Sequence, residues 1–178
     1  MLFKISAFIS LIILSSCSIK GITNDYGKLT SELKVQITPL QDFKALKLDM
    51  AYTINAEQLN KEIASHHKVL VYVFTNGCTS NMCKPLFVYE NYAKQNGYDL
   101  FLVMNGFGNL EKTLIQPRKT PLLAIDGDYY KTIYRGAYER KFMNEISGLP
   151  TNQQRKFQGD LFFYSDGKLE KLLWELPK

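Results

Sequence analysis

The chain has 178 residues, 46% of them hydrophobic and 13% aromatic, which is enough for one packed domain and excludes global disorder. Its formal net charge of +5 comes from 22 basic residues set against 17 acidic ones, with the lysines spread among the acids. That describes a solvated, mildly basic surface and not a nucleic-acid footprint, so no nucleic-acid partner is expected.

Residues 1–16 read as a removable leader. Lys4 supplies a positive charge, and Ile5 to Leu14 is apolar apart from serine. A transmembrane helix needs about 20 apolar residues, so this run is too short to be one. It ends in Leu14-Ser15-Ser16-Cys17, which resembles the bacterial lipobox: a large aliphatic residue, two small ones, then cysteine. The resemblance implies cleavage before Cys17, lipidation of its thiol and a membrane anchor of two or more acyl chains. An ordinary secretory signal with an incidental cysteine is the competing reading. The expected location is the cell envelope, facing the periplasm or the exterior. Ser18 in place of an acid after Cys17 favours the outer membrane where the source has two. With Cys17 carrying lipid, Cys78 and Cys83 are the remaining thiols, close together in a compartment where disulfides persist.

Residues 17–51 read as a lipidated tether and N-terminal extension. Ser18 to Lys34 is polar, and short strands are predicted within Val35–Leu40 and Leu46–Ile54, the first confined by Pro39 to an edge or an end. A helix is predicted over Ala56–His66, with Leu59 and Ile63 four apart and Asn55 as its cap. Val69 to Phe74 is a continuous run of β-branched, aliphatic and aromatic residues, the pattern of a central strand buried on both faces. Thr75-Asn76-Gly77 breaks it. A helix follows from about Asn81 to Gln95, with a C-cap signal at Asn96-Gly97. Leu100–Met104 is a second buried strand, and the strand–helix–strand spacing makes the two parallel. Gly106–Gly108 reads as a turn and Leu110–Gln116 as a short helix or irregular segment. Pro121–Ile125 reads as a strand turned by Asp126-Gly127 into an antiparallel partner at Tyr129–Tyr134. Tyr138, Phe142, Ile146 and Leu149 lie at helical spacing, giving an amphipathic helix over 137–147. Residues 149–178 carry a C-terminal β-hairpin extension, Leu161–Tyr164 and Leu169–Trp174 about a turn at Asp166-Gly167.

This order of elements, with Cys78 after the central strand and Thr120-Pro121 before a later one, resembles the thioredoxin fold over residues 52–148. The class implied is α/β: a thioredoxin-like mixed sheet with flanking helices, plus a C-terminal β-hairpin. In that family a cysteine opens the helix after the first central strand, and a cis-proline begins a later strand opposite it. The resemblance makes Cys78 the attacking cysteine and Cys83 the resolving one. It makes Thr120 and Pro121 the substrate groove, with a cis peptide bond between them. Helix N-terminal amides favour the thiolate, and a second thiol releases a mixed disulfide by intramolecular attack. No cofactor and no metal is called for.

Three features depart from the family pattern. Four residues separate Cys78 from Cys83 where the family has two, Gly77 replaces a common tryptophan, and Tyr72 stands where many thioredoxins bury an acid. Residues five apart on a regular helix lie about 8–9 Å apart, beyond disulfide reach. If the two cysteines pair, Thr79–Asn81 must therefore loop and the helix must start near Asn81, capped by Ser80 or Asn81. Cys83 is then expected in the first helical turn, shielded by Leu86 and Phe87.

Two functions fit. One is an enzyme of envelope thiol–disulfide exchange, acting on protein thiols through Cys78 and Cys83. The other is a catalytically inert thioredoxin-like lipoprotein that binds another envelope protein, with the Cys78–Cys83 pair structural. Copper delivery, suggested by a faint likeness around Cys78 and Cys83-Lys84-Pro85, is disfavoured because no histidine follows His67. His66-His67 ends a predicted helix and reads as its electrostatic complement. Gly106-Phe107-Gly108 lacks the context of a phosphate loop. Cys17→Ser is expected to release the protein from membranes or leave it unprocessed. A variant that still sediments with membranes after a carbonate wash removes lipidation at Cys17 as the explanation.

Overall fold

The computed structural model describes residues 21–78, 83–154 and 156–177. The leader, Cys17, Ser80 and Asn81 lie outside them. Among the described residues, seven strands form one mixed sheet in the order β1-β2-β5-β4-β3-β6-β7. These are β1 (Ile37–Pro39), β2 (Ala51–Ile54), β3 (Lys68–Phe74), β4 (Asp99–Met104), β5 (Leu122–Ile125), β6 (Leu161–Ser165) and β7 (Lys168–Leu173). The helices are α1 (Ser31–Lys34), α2 (Ala56–Ile63), α3 (Leu86–Asn96), α4 (Leu110–Leu114) and α5 (Arg135–Ile146). The class is α/β. β1 to β5 run parallel to their neighbours, while β6 runs antiparallel to β3 and β7 antiparallel to β6.

The apolar run of β3 is divided between two cores by strand alternation. Val69, Val71 and Val73 face Leu59 and Ile63 of α2 with Tyr138, Phe142 and Ile146 of α5. Leu70, Tyr72 and Phe74 face Leu86, Tyr89 and Ala93 of α3 with Leu110 of α4. Each fully buried aliphatic or aromatic side chain here contributes about 1.5–3 kcal/mol of transfer free energy. β3 and β4 are parallel across α3, as their spacing predicts, with Val69 opposite Asp99 and Phe74 opposite Met104. α2 starts as predicted at Asn55, where Asn55 and Gln58 form a capping box. The Asp166-Gly167 turn takes positive φ at both residues, 48° and 75°, and joins β6 to β7.

Four expectations are corrected. The predicted antiparallel partner of β5 over Tyr129–Tyr134 does not form: β5 is already paired on both sides, by β2 and β4, and has no free edge. Instead the Asp126 carboxylate accepts the amides of Asp128 and Tyr129 at 2.9 and 3.1 Å, and Tyr130 turns inward to donate to Glu145 at 2.8 Å. α3 begins at Leu86 rather than near Asn81, because Pro85 restricts Lys84 to extended backbone and the helix starts after it. The polar segment read as a tether is docked from residue 21 onward. The Asn24 amide donates to the Ile133 carbonyl at 2.9 Å, and the Phe107 amide donates to the Asn24 carbonyl at 2.7 Å. Finally, the hairpin read as an extension supplies β6, the strand beside β3.

Gly159 leads into β6 against the end of β7, and a Cβ there would stand 2.5 Å from the Leu173 carbonyl carbon and 2.7 Å from its nitrogen. Both obstacles are backbone, so β7 has to move. Gly159→Ala is expected to cost about 1–3 kcal/mol in urea unfolding and to speed amide exchange in β7. Unchanged stability would remove this close approach as a constraint on the fold.

Candidate functional site

β3 ends at Phe74 and the chain turns sharply into Cys78. Asn76, buried in that turn, donates to the Gly106 carbonyl at 2.9 Å, and the Cys78 amide reaches back to the Thr75 carbonyl at 3.4 Å. Gly77 has φ +66°, and a Cβ on it would lie 2.7 Å from the Asn109 side-chain carbonyl carbon. Both facts select glycine, which accounts for Gly77 where the family resemblance led to a tryptophan.

Cys78 and Cys83 are joined by a disulfide, with Cα atoms 5.9 Å apart. Cys78 is exposed and Cys83 partly buried. Cys83 precedes α3 and its Pro85 cap, so the expectation that it sits inside the first helical turn is corrected. Phe87, expected to shield it, is itself 46% exposed. The pair borders two hollows. One, of about 330 Å³, is lined on the α3 side by Tyr72, Phe74, Pro85, Leu86 and Gln116. The other, of about 320 Å³, lies toward β6 and α5 and is lined by Thr75, Asn105, Glu139, Asp160 and Trp174.

The second hollow holds two carboxyl groups. Asp160 sits at the start of β6, its backbone fixed by the Val73 amide donating to its carbonyl at 2.9 Å and by its own amide donating to the Leu173 carbonyl at 3.1 Å. One oxygen of its side chain, Oδ1, is buried without a hydrogen-bond partner among the described residues. Burial pushes the Asp160 carboxyl up to about 7, against the opposing pull of its own backbone amide and with the Glu139 charge adding to the rise. Glu139, from α5, is also raised by burial, against the opposing pull of a hydrogen bond from Asn105 and the Arg135 charge. The Asn105 amide bridges it to the disulfide turn, donating at 2.9 Å to Glu139 and at 2.8 Å to the Thr75 hydroxyl.

Thr120 and Pro121 are elsewhere. No peptide bond among the described residues is cis, so the Thr120–Pro121 bond is trans, and the cis expectation is corrected. Pro121 precedes the amino end of β5, with β4 lying between β5 and β3, whereas Cys78 follows the carboxyl end of β3. What fixes Thr120 is Glu90 of α3, whose carboxylate accepts the amides of Lys119 and Thr120, both at 2.7 Å. The strand start that meets the cysteines is Gly159-Asp160. Sequence reasoning passed over Asp160 and Glu139. The signal for Asp160 was an acid directly before a continuous apolar strand; Glu139 carried none, being one acid among several on a mixed helix.

No family model matches the chain, and neither does any curated protein or solved structure. The site therefore rests on its own geometry. Among the described residues no group of three or more His, Cys, Asp and Glu side chains is arranged to hold a metal ion. Both ring nitrogens of His66 meet carboxylates, Asp99 at 2.8 Å and Glu62 at 3.1 Å. Partial burial acts against the charged ring, and the two carboxylates outweigh it to raise its pKa.

Asp160 makes stability depend on pH. Between its ordinary value of 3.8 and about 7 the folded chain keeps a proton that the unfolded chain has released, so stability falls as pH rises through that window. Asp160→Asn is expected to be close to neutral near pH 4 and to stabilise by on the order of 2 kcal/mol near pH 8. Urea unfolding at both pH values reads the difference, and an equal effect at each contradicts the buried-carboxyl account.

Proposed function

We propose that this chain is a lipid-anchored, thioredoxin-like protein of the cell envelope that exchanges thiols and disulfides with other proteins through Cys78 and Cys83. The observation that carries the proposal is the asymmetric disulfide at the end of the central strand, with Cys78 exposed, Cys83 partly shielded and a hollow open beside both. A thioredoxin-like reading is supported by the parallel β3-α3-β4 unit with Cys78 directly after β3. It is supported too by an antiparallel strand, β6, whose first residues face the pair. Gly159-Asp160 occupies the place that the family resemblance gave to a proline. The membrane anchor rests on the Leu14-Ser15-Ser16-Cys17 motif alone.

The chemistry needs no cofactor. A thiolate of a partner dithiol attacks the exposed Cys78 sulfur, the Cys78–Cys83 bond breaks, and the Cys83 sulfur leaves with the bonding electrons and takes up a proton. The second partner thiol, once deprotonated, attacks the partner's own sulfur in the mixed disulfide and expels Cys78. The partner is oxidised to a disulfide by two electrons, and this protein is reduced to a dithiol; the reverse sequence reduces a partner disulfide. Exposure selects Cys78 as the sulfur attacked. Trp174, 54% exposed at the rim, supplies apolar surface for a partner chain.

Cys83→Ser is expected to trap mixed disulfides between Cys78 and partner proteins, because no thiol remains to resolve them, whereas Cys78→Ser traps none. Non-reducing gels followed by mass spectrometry separate the outcomes. If both variants instead lose about 2–4 kcal/mol or less, with no trapping, the pair is structural and the protein is an inert binding module.

A further inference from the structure

We propose that the paired segments 22–26 and 129–134 form a membrane-contacting face, which lies at the headgroup level of the bilayer and holds the folded domain against it through aliphatic and tyrosine side chains. The inference rests on the lipid-anchor part of the proposed function and adds to it the surface by which the domain itself meets lipid.

Of the ten large hydrophobic side chains exposed among the described residues, five fall in these two short segments: Ile22, Tyr26, Tyr129, Ile133 and Tyr134, each at least 40% exposed. The backbone holds the segments side by side. Thr23 and Tyr134 form an antiparallel bridge, the Arg135 amide donates to the Ile22 carbonyl at 2.9 Å, and the Asn24 amide donates to the Ile133 carbonyl at 2.9 Å. Tyr26 and Ile133 also line one hollow, of about 520 Å³. Exposed apolar residues scattered singly need no explanation, whereas a cluster marks a surface that meets something apolar. The proposed anchor identifies what it meets. Cys17 is four residues before Gly21, where the docked segment starts with the Gly21 amide donating to the Asp25 carboxylate at 3.1 Å. Four residues of chain span at most about 14 Å, while a domain of this size is about 40 Å across. A lipidated Cys17 sits at the bilayer surface, so the face around Gly21 is the one within reach of lipid, and the cluster begins at the next residue, Ile22. Its chemistry suits that level: a tyrosine ring places an apolar body against the hydrocarbon boundary and its hydroxyl in water. Charge does not select the contact. Asp128 and Lys131, both exposed in the second segment, are of opposite sign, and Lys28 beside the first is paired with Asp25 at 2.7 Å. The contact is one of apolar burial and calls for no anionic lipid.

The test uses the full lipoprotein reconstituted in phosphatidylcholine vesicles. The native tryptophan is removed, Trp174→Phe, and a single reporter is placed either in the face, Ile133→Trp, or on the last turn of α3, Gln95→Trp. Residue 95 lies by the amino end of β3, where Lys68 donates to the Asn96 carbonyl at 2.9 Å. The seven residues of β3 set that end about 20 Å from the carboxyl ends of the parallel strands, beyond which the face is built. Lipid brominated near the top of its acyl chains is expected to quench the reporter at position 133 at least about twofold more than the one at position 95. The difference is expected to persist at about 0.5 M salt, where surface charges are screened. Equal quenching at both positions, or quenching at position 133 that salt abolishes, overturns the proposal. Wild-type protein supplies a check free of substitution. A phosphatidylcholine carrying a diazirine in its headgroup, activated by light, is expected to label residues 22–26 and 129–134 and to leave the last turn of α3 unlabelled, as read by mass spectrometry of peptides. Even labelling over the whole domain overturns the proposal and leaves a protein as the occupant of the cluster. The intact mass of the processed chain separates this inference from the reading beneath it. Without acyl chains on Cys17 both fall; with them, a failed contrast sinks this inference alone. Trapping by Cys83→Ser bears on neither.

Discussion

The hydrogen bond from the Val73 amide to the Asp160 carbonyl ties the last turn of the central strand to the start of β6, and the candidate site depends on it. β3 is buried on both faces and paired on both edges, so its end is a fixed point from which the Thr75–Cys78 turn projects. β6 arrives from far along the chain, and this bond, with that from the Asp160 amide to Leu173, sets where its first residues stand. Without that registration the disulfide would lose Asp160 as a neighbour and keep only Glu139 of α5. Gly159 is the steric condition for it, since no larger residue lets the chain pass Leu173 so closely.

Two opposing demands meet in the hollow. A folded core favours removing ionisable groups from such a place, because burial of a carboxylate without full hydrogen bonding is costly. Asp160 and Glu139 are nevertheless both there, and the cost appears as a preference for the protonated forms. Asn105 relieves Glu139 and ties it to Thr75, so α5 and the disulfide turn are bridged by one amide. Asp160 receives no such relief on Oδ1. Asn76 Oδ1 and Asn105 Oδ1, beside the same turn, are likewise buried without a partner among the described residues.

The docked N-terminal segment adds a second constraint at the same end of the sheet. Asn24 and Phe107 bond through their backbones, and Asp25, buried and ion-paired to Lys28 at 2.7 Å, anchors the stretch beside Gly108. Gly21 and Arg135 share a small hollow with Thr75 and Asn76. The turn that carries Cys78 is therefore supported from below by Asn76 and Asn109 and from the side by the entry of the chain.

The sequence by itself determined the elements whose signals are local. The six-residue apolar run of β3, the Asn55 cap, the βαβ unit and the Asp166-Gly167 hairpin were legible because periodicity, capping and turn chemistry act within a few residues. The proximity of Cys78 to Cys83 was legible for the same reason. Which strand lies beside which was not, because pairing is decided by which edges remain free once the whole sheet forms. That is why Pro121, at the head of a strand flanked by β2 and β4, was assigned to a groove that Gly159-Asp160 borders. It is also why the segment after Asp126 was read as a hairpin partner to an edge that did not exist. The carboxyl pair beside the disulfide belongs to the same class of fact. Asp160 becomes a group titrating near 7 only through the burial that β3, α5 and the end of β7 impose together, and burial is a property of the assembled structure, not of any window of the chain.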